Sequence, residues 1–130
     1  MSSRPRQLHA SRGRSAGGQA TIEFALALPI VVIMALGVIV VGVAVRNELA
    51  VELAAREGAR AAAVSASPAS AAAAAAARAV RLPVDVATTS DATTVTVTVT
   101  YVDPVDVAII GALLGPVTHT ASVTMGIEPP

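Results

Sequence analysis

Three patterns of apolar positions succeed one another along the chain. The first is continuous. Residues 24–45 carry no charged side chain, and only Pro29, Gly37 and Gly42 break the apolar run. A bilayer's hydrocarbon core needs about 20 such residues of helix, so the run predicts a single membrane-spanning helix. Pro29 lacks a backbone donor and crowds the carbonyl of Ala25 four residues back, which predicts a kink that a membrane helix tolerates.

The second pattern is helical with a charged edge. "RNELAVELAAREGARAAA" continues the helix, with Glu52 and Arg56 at i,i+4 and Glu57 and Arg60 at i,i+3. Both spacings bring opposite charges together on one helical face. Gly58 is a weak point on helix propensity alone. A helix over residues 19–64 would be about 69 Å long, roughly twice what the membrane needs. Its outer part is therefore predicted to project as a stalk, and alanines such as Ala54, Ala55, Ala59 and Ala62 suit close approach to a head or another subunit. "SASPASAAAAAAARAVRLP" then predicts a turn and a second helix, with Ser67 as cap, Pro68 at the first helical position and Pro83 as stop.

The third pattern has period two. In "ATTVTVTVTYV", Val95, Val97, Val99 and Tyr101 alternate with threonines, which predicts a half-buried strand over residues 92–102. A second, weaker strand is predicted over residues 117–128, and a short one over residues 84–88. The intervening "DPVDVAIIGALLGP" opens as a turn and carries an apolar loop or helical turn, packed on the sheet or on a partner. The fold class is thus α+β: an N-terminal transmembrane helix extended as a stalk, an alanine-rich helix, and a small antiparallel sheet of two or three strands.

Composition sharpens this picture in two ways. Aromatic residues make up 2% of the 130 residues, namely Phe24 and Tyr101. A core filled by alanine, valine and threonine gains little per residue, so the head should be only marginally stable. Charge gives the direction. Arg4, Arg6, Arg12 and Arg14 precede the span with no acid among them, whereas an acidic balance follows it. That asymmetry places the N-terminus in the cytoplasm and the head outside, in a single-pass cytoplasmic-membrane protein. A secretory signal has an apolar region of about 7–15 residues, shorter than this run. The few basic residues make no nucleic-acid footprint.

Candidate chemistry is sparse. His9 and His119 fall on opposite sides of the span, and His119, in a threonine-rich strand, is expected on a solvated face. Asp103 and Asp106 flank Pro104, the pattern of a turn. No nucleophile has a plausible partner, and there is no phosphate loop or metal-ligand cluster, so neither catalysis, metal, cofactor nor small-molecule substrate is expected.

One acid remains conspicuous. Glu23 stands at the threshold of the apolar run, five residues after Gly18. "GGQATIEFALALP" resembles the processing region of type IV prepilin-like proteins, in which a basic leader ends in glycine and glutamate is the fifth mature residue. Gln19 stands where an aromatic residue is usual. With "AAREGARAAA" and the β-rich end, the chain is similar to TadE-like pseudopilins of the tight-adherence (Tad, or Flp) pilus system; TadG-like relatives are usually longer.

The resemblance implies four parts: a leader over residues 1–18, a transmembrane helix over 19–45, a stalk over 46–64 and a head over 65–130. It assigns processing and assembly to Gly17, Gly18, Gln19, Glu23 and Phe24. It implies a prepilin peptidase, sister pseudopilins, a pilus assembly platform and membrane lipid as partners. The competing expectation is a generic single-pass anchor presenting a small binding head, without leader processing.

Overall fold

The computed structural model describes residues 15–127. Arg4, Arg6, Arg12 and Arg14, the residues that set the predicted topology, lie outside the described residues, as do His9 and Glu128. The elements in order are α1 (Ser15–Ala63), α2 (Pro68–Ala79), β1 (Asp85–Ser90), β2 (Thr94–Asp103), α3 (Ile110–Leu114) and β3 (Val117–Gly126). This is the expected α+β class, with all three strands present. The chain divides into two units, residues 1–35 and 36–130.

In the first unit, α1 continues through Pro29. Every side chain described there is exposed, including Ile22, Phe24, Leu26, Ile30 and Met34. This helix is long and apolar enough to cross a membrane.

The second unit has a core of small side chains. Val51, Ala54, Ala55, Ala59 and Ala62 recur at helical spacing on one face of α1. They meet Ala72 and Ala76 of α2 and Val95, Val97 and Val99 of β2. The sheet order is β1-β2-β3, with both pairings antiparallel. The predicted alternation holds along β2, where Val95, Val97 and Val99 are buried and the threonines between them half-buried. On the outer face hydroxyls pair across strands, Thr96 with Thr124 at 2.7 Å and Thr98 with Ser122 at 3.0 Å.

Gly58 has a role that propensity conceals. A Cβ there would stand 3.2 Å from Val97 Cγ1 and 3.3 Å from the Ala72 carbonyl oxygen. The missing side chain lets α1, α2 and β2 meet at one point, so a locally unfavourable residue serves the packing. α2 begins at Pro68 as expected, yet Ser67 makes no side-chain cap. Its carbonyl instead accepts from the Ala71 amide at 3.1 Å, and its own amide donates to Ser65 Oγ at 3.1 Å.

Two connections carry specific turn chemistry. Between β1 and β2, Asp91 Oδ1 accepts from the amides of Thr93 at 2.8 Å and Thr94 at 2.7 Å. Between β2 and β3 the backbone is strained. Val105 and Ile109 have positive φ of 47° and 71°, which β-branched residues rarely adopt. Ile109 centres a γ-turn in which the Ile110 amide donates to the Ala108 carbonyl at 2.8 Å. Such conformations cost on the order of 1–3 kcal/mol each. At the end of α3, Gly115 has φ 68° and ψ −170°, a region essentially reserved for glycine.

Candidate functional site

The residues assigned to processing occupy the start of α1. The Gly18–Gln19 peptide bond lies within α1, close to the first of the described residues. Paired glycines at 17 and 18 lower the helix propensity of this stretch. The space where a Gly18 side chain would point is open, with no atom within 4 Å. Gln19 and Glu23 are brought together one turn apart, Gln19 Nε2 donating to Glu23 Oε1 at 3.0 Å. Phe24, next in the chain, is exposed. The site is thus an exposed stretch of helix carrying one carboxylate.

A second set of polar residues marks where α1 passes from exposed to buried. Asn47 is 4% exposed and donates through Nδ2 to Asp103 Oδ2 at 2.6 Å. The other oxygen of Asp103 accepts from the Val105 amide at 2.9 Å. One turn of helix thereby clips the end of β2 and holds the strained connection that follows. Next to Asn47, Glu48 Oε2 lies 2.9 Å from His119 Nδ1.

His119 corrects an expectation. Its threonine-rich strand predicts a solvated face, but His119 is 6% exposed and lies on the core side of β3. Its cross-strand partner is Tyr101, and the rings stack with centroids 6.3 Å apart and planes at 15°. His119 Nε2 is buried without a hydrogen-bond partner among the described residues. Threonines on both sides hid the register: positions 117, 119, 121, 123 and 125 face inward, and His119 shares that parity.

Among the described residues no three His, Cys, Asp or Glu side chains gather as a metal site requires. Asp103 serves the turn expected of it, with a long-range bond to Asn47 that sequence spacing could not reveal.

The feature uniting these groups is one helix that carries a glycine-marked start, an exposed apolar stretch and a small-residue packing face. Residues 18–60 match the family model of the TadE-like proteins. Over those residues the helix is similar to TadE-like proteins. The match covers both the exposed stretch and the face bearing Gly58. No curated protein and no solved structure matches the chain. The TadE-like segment stops short of α2 and the sheet, so the head is characterised by its geometry alone.

Proposed function

We propose that this chain is a minor pseudopilin of the Tad (Flp) pilus, without catalytic activity of its own. In this reading α1 anchors it in the cytoplasmic membrane and the head stands on the extracytoplasmic side. A prepilin peptidase cuts after Gly18, and the processed chain assembles with TadE- and TadG-like sisters on the pilus platform. The observation that carries the reading is the Gln19–Glu23 pair at 3.0 Å, one residue after Gly18 on an exposed part of α1 and next to the exposed apolar stretch.

Cutting there removes all four leader arginines, the charges that hold the N-terminus on the inner face. It also creates an α-amine, which is charged near neutral pH because such groups titrate at about 7.7–8.0. Glu23 then stands one turn from that amine. Its charge suits the positive end of the helix dipole, and pairing with its own amine or a neighbour's offsets desolvation at the membrane edge.

The test is the intact mass and N-terminal sequence of protein extracted from membranes that contain the peptidase. The wild type should begin at Gln19, and Gly18→Phe should retain its leader. A wild-type chain that keeps residues 1–18 in those membranes would sink the proposal and favour the unprocessed anchor.

A further inference from the structure

The core of the head is built from valine and alanine, yet its bulkiest aliphatic side chains lie outside that core. Ile109, Leu113 and Leu114, on and beside α3, are 60%, 80% and 59% exposed, and α3 has no buried residue. The expectation that this apolar segment packs on the sheet is not met; its other expectation, a partner, remains. From Val107 to Thr118 the chain carries no charged side chain. An isolated exposed leucine needs no explanation, but three large aliphatic side chains within six residues of an uncharged segment do.

The location of the segment indicates the partner. Its root lies against α1 at Val40, Val43 and Ala44, which with Val105, Val107 and Val117 line a mostly apolar cavity of about 230 Å³ that Asp103 and Asp106 border. Those three residues of α1 belong to the uncharged run that ends at Val45. Immediately beyond it, polar pairing begins with Asn47 to Asp103 and Glu48 to His119. Two stretches of chain therefore change from polar to apolar at the same level. On α1 the change falls between Asn47 and Val45; on the β2–β3 connection it falls between Asp106 and Val107. The Asn47–Asp103 bond ties the two changes together.

A shared boundary of this kind is what a membrane surface imposes. We propose that the segment from Val107 to Val117 is an interfacial insert, which sinks Ile109, Leu113 and Leu114 into the leaflet on the head's side of the bilayer. It acts as a second anchor beside α1, fixing the height of the head above the lipid. Apolar side chains of interfacial segments reach about 5–10 Å into the headgroup and acyl boundary, a depth that short loops can attain. The strained turn at Ile109 directs the segment instead of letting it relax as a flexible tether. This inference rests on the reading that α1 crosses the membrane.

The chain contains no tryptophan, so a single substitution supplies a lone emitter. Full-length Leu113→Trp, Ala73→Trp and Ile39→Trp proteins would be reconstituted in phosphatidylcholine–phosphatidylglycerol vesicles with and without brominated acyl chains. Ile39 lies in the span, and Ala73 is an exposed residue of α2. The expected result is a blue-shifted Leu113→Trp that loses about half its emission to bromines placed near the carbonyl end of the chains, at interfacial depth. Ala73→Trp should be unaffected. If Ile39→Trp is quenched while Leu113→Trp behaves like Ala73→Trp, the span stands and the insert is refuted. If Ile39→Trp also escapes quenching, the spanning reading fails and the insert with it. A blue shift at position 113 without bromine quenching, growing with protein density, would overturn lipid in favour of a second copy of the chain.

Discussion

Residues 24–45 and residues 47–63 belong to the same helix and are both rich in apolar side chains, yet the first stretch is exposed and the second supplies a core. The second carries five charged side chains and the first none, and their apolar side chains differ in size as well. The first carries Phe24, Leu26, Leu28, Ile30, Ile33, Met34 and Ile39, all exposed. The second buries Ala54, Ala55, Ala59 and Ala62, with Gly58 among them and Val51 the largest fully buried side chain of its face. In water, a helix that lies close to a sheet and a second helix needs small residues at the contact, because interiors are packed to crystal-like density. In lipid, large aliphatic side chains meet a solvent as apolar as themselves, and nothing drives them together. Hydropathy separates the two stretches as wholes, and side-chain volume separates their apolar faces as well.

The sharpest way to break this comparison is to enlarge one residue in each stretch. Gly58→Leu should cost about 3 kcal/mol or abolish folding of the head, since a Cβ alone already crowds Val97 and the Ala72 carbonyl. Val41→Leu, at an exposed position, should stay within about 0.5 kcal/mol of wild type. Both can be followed in the full-length protein by urea unfolding, using the near-ultraviolet signal of Tyr101, the only tyrosine, whose ring stacks on His119. Equal stability of the two variants would show that volume does not distinguish the stretches.

The junction between the stretches gives the next largest effect. Asn47→Ala removes the donor to Asp103 Oδ2 and leaves a half-buried carboxylate oxygen without that partner. The expected loss is about 1–3 kcal/mol, the usual cost of stranding a buried polar group. The same variant should speed amide exchange at Val105, whose N–H is held by the other Asp103 oxygen at 2.9 Å. A variant with unchanged stability and exchange would mean that the clip holds nothing in place.

Much of this architecture follows from local pattern, and what escapes it does so for identifiable reasons. The alternation of Val95, Val97 and Val99 with threonines places β2, and Pro68 places the start of α2, because both signals act within a few residues. Gln19 and Glu23 lie four apart in a helix, so their hydrogen bond follows from the spacing. Gly58 reads locally as a penalty, and only contacts with Val97 and Ala72 reveal its use. His119 and Glu48 are 71 residues apart, and Asn47 and Asp103 are 56 apart. No periodicity encodes such pairs; they exist only once the sheet has closed on α1. The outward display of Leu113 and Leu114 is hidden likewise, because an apolar loop that packs and one that protrudes have the same composition.

The smallest effect distinguishes the stretches by their response to acid. Residues 24–45 have no ionisable side chain, so lowering the pH cannot act within them directly. The head carries Asp91, whose carboxyl is lowered from 3.8 to about 2, first by the Thr93 and Thr94 amides and then by the Thr94 hydroxyl. A depressed folded value means that the ionised form favours folding. That contribution is complete above the unfolded value near pH 4 and disappears as pH falls through about 2. Asp91→Ala should therefore melt below wild type at neutral pH, with the gap constant down to about pH 5 and closing towards pH 2. A gap that persists undiminished at pH 2 would mean that Asp91 acts through its shape in the β1–β2 turn and not through its charge. Melting followed by Tyr101 reports the head, where this titration belongs, while the exposed stretch of α1 offers acid no group to protonate.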